Sequence, residues 1–286
     1  MSAPDAGING SGMTGAGSAA GSVPGRGLRQ MPFRGGGFVV TPRRWAAWVF
    51  FGVTIVIWQI AVARGAIDAL FLPDPKSIAL ALRDIAVEGE LWTHLTQSLG
   101  RFALGWSLGT AAGVVAGFAM GLSSLTRAVS LPAVSALFPI PKIALLPLFI
   151  LWLGIGEASK IATIALGVFF PTAIATFSAI DGVPRNLVCM GQSFNMPWLA
   201  IVTKIVLPGA LPGILAGFRI TTSIALLLLV SAEMIGAQYG IGAFILLAGN
   251  LMLTDQLLAG VVIVSVLGLT FSMILAAIER RFLHWR

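Results

Sequence analysis

From residue 45 onward the chain alternates between long apolar runs and shorter polar connections that carry its charges. Six runs, at 45–63, 95–122, 128–153, 161–180, 211–233 and 256–278, approach or exceed the roughly 20 residues a helix needs to cross a bilayer. Between the first two, Pro73 and Pro75 in LPDPK set an extended turn. Ile78, Leu82 and Ile85 then recur at helical spacing, which predicts an amphipathic helix. The stretch 234–255 is apolar but interrupted by glycine, which predicts an amphipathic or re-entrant helix. The pattern predicts an all-α membrane protein with six transmembrane helices. It lacks the short alternating strands of a membrane β-barrel.

Two runs carry more than length. In the second, Gly100, Gly105, Gly109, Gly113, Gly117 and Gly121 follow one another at four- or five-residue spacing. Such a stripe exposes backbone along one helix face and lets a neighbouring helix approach closely. The third is interrupted by Pro132, Pro139, Pro141 and Pro147, which kink a helix and free backbone carbonyls. The fourth holds Pro171 near its middle. Lys142, inside the third run, has two readings: a cation facing a solute pathway, or a side chain reaching back to the membrane surface. Lys142, Pro139, Pro141 and Pro171 are the pathway candidates.

Composition agrees with this picture. The chain is 57% hydrophobic and 10% charged, against about 25% charged in soluble domains. Its net charge of +7 follows topology rather than nucleic-acid binding. Arg26, Arg29, Arg34, Arg43, Arg44, Arg127, Arg185, Lys204 and the tail ERRFLHWR fall on one side, and Asp68, Asp74, Asp84, Glu88, Glu90, Glu157, Glu233 and Asp255 on the other. The excess of Lys and Arg marks the cytoplasmic side and places both termini there. Residues 1–44, rich in Gly, Ser, Ala and Pro, are expected to be a disordered basic cytoplasmic segment, with residues 45–286 forming the membrane domain. They lack the apolar core of a signal peptide.

Catalytic chemistry finds little support. The single Cys189 excludes an internal disulfide and a multi-cysteine metal site, and His94 and His284 lie far apart. His94, Ser98 and Asp84 are close in sequence, but their positions at a connection and a helix end predict packing or surface roles. No catalytic residue, metal or cofactor is expected.

The connection 181–212 is the exception to short polar loops. It carries Arg185 and Lys204 and ends on the doublet LPGALPGI. In permease subunits of ATP-driven importers such a loop reads Glu-Ala-Ala, three residues, Gly, and later a hydrophobic residue and Leu-Pro. Aligned on Leu207 and Pro208, the chain places Cys189, Met190 and Gly191 at the Glu-Ala-Ala positions and Asn195 at the Gly. Asn is, after Gly, the residue that best tolerates a left-handed backbone. The flanking segments LPDPKSI, SLGRFALGW, PIPKIALLPLFILWLGIGEASK, MPWLAIVTKIVLP, GALPGILAGFRI and SAEMIGA follow the same pattern. Over 72–278 the chain resembles binding-protein-dependent ABC transporter permeases of the nitrate/sulfonate/taurine/bicarbonate type.

The resemblance implies a type I ABC importer permease fold (MetI-like) in the bacterial cytoplasmic membrane. It implies two permease copies forming the pathway, two cytoplasmic ATPase subunits and a periplasmic or lipoprotein substrate-binding protein. The coupling loop would include Arg185, Cys189, Met190, Gly191, Asn195, Lys204, Leu207 and Pro208. No phosphate-cradling GxxxxGK(S/T) loop occurs in the chain, so ATP would be hydrolysed by a separate polypeptide. The cargo expected is a small oxyanion such as a sulfonate, taurine, nitrate or bicarbonate. The alternatives are an ATP-independent secondary transporter or channel, or the same permease type carrying a vitamin precursor.

Overall fold

The computed structural model describes residues 44–68 and 70–283. The expected N-terminal segment, apart from Arg44, and the end of the basic tail with His284 lie outside the described residues. The chain divides into two compact units, 1–52 and 53–286. Of the first, only the opening turns of α1 (Arg44–Ala63) are described; the helical packing belongs to the second.

Every regular element among the described residues is helical. After α1 come α2 (Pro75–Val87), α3 (Glu90–Leu122), α4 (Ser124–Leu137), a 3₁₀ turn at Lys142–Leu145, α5 (Leu146–Leu153) and α6 (Glu157–Asp181). Then come α7 (Arg185–Ser193), α8 (Trp198–Ile201), a π-helical turn at Val202–Val206, α9 (Leu207–Gly236), α10 (Ile241–Asn250) and α11 (Thr254–Phe282).

Among the described residues four helices are long and apolar enough to cross a membrane: α3, α6, the continuous Trp198–Gly236 helix and α11. The third expected run is a bent pair instead, α4 and Lys142–Leu153 meeting at 88°. Pro139 and Pro141 flank Ile140 at the bend, where neither can donate to a helical ladder. The apolar part of α1, Trp48–Ala63, is shorter. At about 1.5 Å per residue it rises roughly 24 Å, against a hydrocarbon core of about 30 Å. The six expected spans thus stand as four, or five with the bent pair counted as one.

Helix α6 is central, lying along α3 on one side and α9 on the other. The glycine stripe sets the α3–α6 distance. An added Cβ at Gly109 would fall on the carbonyl oxygen of Ala165, and one at Gly113 would lie 2.7 Å from Cβ of Thr172. At Gly121 it would lie 2.7 Å from Cγ2 of Ile180. The matched order of these contacts makes α3 and α6 parallel. Gly213 and Gly217 bring α9 equally close to Ala179 and Ala175 in the antiparallel sense. In lipid, where burial of apolar surface gives no advantage over the acyl chains, close backbone approach of this kind holds helices together. The stripe is therefore a packing seam, and Gly100, with open space around it, is its only member off the seam.

The amphipathic helix expected after LPDPK is α2, which starts at Pro75 and buries Ile78, Ala81 and Ile85. They pack with Phe244 of α10 and Ala259 of α11.

Candidate functional site

The connection 181–212 folds as a helix, a turn and a second helix. Helix α7 is closed off just past Ser193 by Asn195, which takes φ 53°. Met196 N–H donates to Gly191 C=O at 3.1 Å, and Asn195 N–H to Gln192 C=O at 2.9 Å. This is the paired closure of a Schellman cap, with Asn195 in the left-handed position. Gly191 is buried inside the corner: an added Cβ would meet Ile205 Cδ1 at 2.9 Å and Ile201 Cγ1 at 3.4 Å. The small residue is thus required by the packing of α7 against the chain that leaves the turn. Val188, Met196 and Ile205 join the apolar cluster of Ile180, Val183, Ile201 and Val206.

Pro208 shapes the exit. It has no N–H for the carbonyl of Lys204, and the ladder opens into a π turn in which Leu207 N–H donates to Val202 C=O. Helix α8 consequently enters α9 with its face rotated, yet without a break. Beside the packed face, the outer surface of the corner is bare: Leu187 and Met190 of α7 and Phe194 at its end are exposed, as is Trp198 at the start of α8. Arg185, Cys189 and Lys204 are exposed as well. The loop residues named from the sequence therefore gather at one corner, at the end of the bundle where α3 and α6 finish.

The pathway candidates lie elsewhere. Lys142 Nζ donates to the carbonyls of Leu137 at 2.8 Å, Phe138 at 3.0 Å and Ile140 at 2.6 Å. It also stands 4.7 Å over the ring of Phe170. Lys142 thus caps three carbonyls at the bend, among them that of Leu137, for which Pro141 has no N–H. Pro171 sits inside α6, which runs through it as one helix.

The opposite end of the bundle holds a constellation that the sequence pattern does not announce. Arg101, 4% exposed, reaches from α3 to both Glu233 of α9 and Glu157 of α6. Its Nη1 donates to Glu233 Oε1 at 2.7 Å and to Tyr239 C=O at 2.6 Å. Its Nε and Nη2 form a fork on the two oxygens of Glu157. Glu233 is fully buried. It also accepts from Ser98 Oγ at 2.8 and 2.9 Å and from Gly242 N–H at 2.9 Å. Ser98 Oγ in turn accepts from Ile241 N–H at 2.9 Å. Lys160, buried one helical turn after Glu157, donates to Gly156 C=O at 3.1 Å and lies 3.7 Å from Glu157 Oε1. Gly240, at φ 138°, lets the α9–α10 corner close over this group, since a Cβ there would sit 2.5 Å from Glu233 Cδ.

The connection left between the third and fourth apolar runs, 154–160, is shorter than the pattern predicts, with Glu157 to Lys160 forming the first turn of α6. Ser98, given a packing or surface role from the sequence, is a buried donor to Glu233. The available signal was Arg101 itself, an ionisable residue inside an apolar run and as much a functional candidate on that ground as Lys142.

Comparison with known proteins gives the family. Residues 109–284 match the family described as binding-protein-dependent transport system inner membrane component. The chain is 39% identical over 234 residues to a Bacillus subtilis permease protein assigned to aliphatic sulfonate transport, SsuC, covering 82% of this chain and 85% of that one. It is 34% identical over 238 residues to the taurine transport system permease protein TauC of Escherichia coli, covering 82% and 86%. Among solved structures, the fold matches the MetNI methionine ABC transporter in an inward-facing conformation with a TM-score of 0.54, at 22% identity over 68% of this chain and 95% of that chain. It also matches an amino acid ABC transporter crystallised with histidines, with a TM-score of 0.59, at 16% identity over 70% and 97%. The chain belongs to the binding-protein-dependent ABC transporter permeases, multi-pass membrane subunits of importers for small solutes, in which ATP hydrolysis is the work of a separate subunit.

Proposed function

We propose that this permease carries aliphatic sulfonates, taurine among them, and that it works as a homodimer driven by two cytoplasmic ATPase subunits docked at α7. A soluble binding protein delivers the sulfonate at the opposite end. The observation that carries the reading is the α7 corner. It presents Leu187, Met190 and Phe194 to solvent beyond the helices that can cross a membrane, and a bare apolar face on a polar segment is the mark of a docking surface. The sulfonate assignment is supported by relatives at 34% and 39% identity whose names specify taurine and aliphatic sulfonates.

In this reading α7 sits in a groove of the ATPase, and closure of the ATPase pair pushes the corner formed by Gly191, Asn195 and Pro208. Because Trp198–Gly236 is one continuous helix, the push reaches the Arg101 end through α9 directly. The test is reconstitution of the permease with the ATPase subunit and binding protein encoded beside it. Proteoliposomes should take up labelled taurine or ethanesulfonate in an ATP-dependent, vanadate-sensitive way. Met190→Asp should abolish co-purification of the ATPase while leaving membrane insertion intact. Uptake without ATP, or uptake of other solutes only, would overturn the proposal.

A further inference from the structure

The Arg101 end contains more than a structural pair. A cavity of about 290 Å³ opens there, lined by Gln97, Arg101, Glu157, Lys160, Gln238 and Tyr239, at the small end of solute-binding pockets. Two buried cations, Arg101 and Lys160, face it. Their counter-charges are unequally held. Glu233 is fixed by Ser98, Arg101 and the Gly242 N–H inside the protein. Glu157 is 52% exposed and, among the described residues, is held by Arg101 and Lys160 alone. If Glu157 turns outward, Glu233 still neutralises one positive charge, and one remains over the cavity.

We infer that Arg101 and Lys160 form a transient oxyanion site at the end of the permease opposite α7, with the Glu157 carboxylate as its built-in occupant. The fork of Arg101 Nε and Nη2 on Glu157 is the geometry that a guanidinium offers to any planar or tetrahedral oxyanion. An incoming sulfonate would take those two donors and the Lys160 ammonium while Glu157 moves to solvent. One anion replaces another, so no buried charge is left unpaired. Because Glu157 is tethered beside the site, its effective concentration is of the millimolar order or above, so a free anion is held weakly. Weak holding suits a solute in transit. The inference goes beyond the proposed cargo: it concerns any oxyanion, and the anion's source, a free solute or a lipid headgroup, is separable by experiment.

The test is chemical rescue in the full permease–ATPase complex, with methanesulfonate as the probe. Glu157→Ala removes the built-in anion but leaves Arg101 paired with Glu233 and with Tyr239 C=O, so the fold is retained. In dodecyl maltoside, which has no anionic headgroup, methanesulfonate should raise the unfolding midpoint of this variant at about tenfold lower concentration than it does for the wild type. Lys160→Met combined with Glu157→Ala should erase the effect at equal ionic strength. If Glu157→Ala does not assemble, Glu157→Gln keeps the side-chain shape and carries the same expectation. Equal responses in wild type and both Glu157 variants would overturn the inference. A response to phosphatidylglycerol without one to methanesulfonate would also overturn a solute site and assign the cations to lipid. Rescue by methanesulfonate in a complex that fails to import sulfonates would sink the cargo assignment and leave this site standing.

Discussion

Replacing Gly109 by alanine adds one methyl group at the tightest point of the α3–α6 seam. That methyl would fall on the carbonyl oxygen of Ala165, 2.9 Å from its Cα and 3.0 Å from its carbonyl carbon. All three atoms are backbone, so no side-chain rotation relieves the clash and the helices must part locally. Overpacking of this kind costs about 1–3 kcal/mol, and a backbone neighbour argues for the upper end. The better helix propensity of alanine returns up to about 1 kcal/mol, leaving a net loss near 2 kcal/mol. Gly100 is the internal control: on the same helix, exposed, with nothing within 4 Å of an added Cβ. Gly100→Ala keeps only the propensity term and should be neutral or stabilising. With roughly 2–4 °C per kcal/mol for chains of 150–250 residues, Gly109→Ala should lower the unfolding midpoint by about 4–8 °C. Heating the purified complex and following the folded fraction by size-exclusion chromatography would show it. A Gly109→Ala protein as stable as the wild type, or a Gly100→Ala protein that falls as far, would refute the packing account of the stripe.

Three other perturbations have defined outcomes. Arg101→Gln leaves the Glu233 carboxylate buried with one cation fewer, which should cost about 3–5 kcal/mol; Arg101→Lys, keeping the charge but losing the fork, should fall between in a thermal unfolding series. Asn195→Gly should be neutral or slightly stabilising, whereas Asn195→Val, forced to the left-handed φ of 53°, should cost about 1–2 kcal/mol and weaken co-purification with the ATPase. Hydrogen bonds from Ser77 and Gln59 hold the Asp74 carboxyl below its ordinary range. A carboxylate with a depressed folded pKa stabilises above the unfolded value near 3.9 and loses that contribution as pH falls through the folded value. Acidification from pH 6 to pH 3 should therefore lower the unfolding midpoint more in the wild type than in Asp74→Asn.

The local features were legible where one residue has one strong preference. The apolar runs gave the helices, LPDPK gave the start of α2, and the glycine spacing gave the seam. Asn195 stands where a left-handed residue is expected, and the backbone there is left-handed. What depends on distant partners was not legible. Arg101 and Glu233 are 132 positions apart and meet only because α3 runs parallel to α6 and α9 antiparallel to it. Lys142 keeps two readings in the sequence, pathway cation or side chain reaching the membrane surface, because spacing cannot show that three carbonyls at the bend lie within its reach. The bend of 88° has the same cause: prolines announce a break without giving its angle.

The α7 corner separates two roles that the family pattern runs together. Gly191, Asn195 and Pro208 carry the folding of the corner, through a packing limit, a left-handed cap and a missing donor. Each is satisfied by this chain, so the corner forms although the Glu-Ala-Ala pattern is largely replaced. Cys189 and Met190 are exposed instead, and in the proposed docking they face the partner. Cys189 stands where the family pattern has a carboxylate, so the proposed docking makes no ion pair at that position. The proposed docking would use the exposed apolar set Leu187, Met190 and Phe194, with the exposed charges Arg185 and Lys204 beside it. A partner groove that fits this corner should be apolar opposite Cys189 and acidic opposite Arg185 or Lys204. Raising the salt concentration should therefore weaken the complex less than Met190→Asp does, because the apolar contact is not screened.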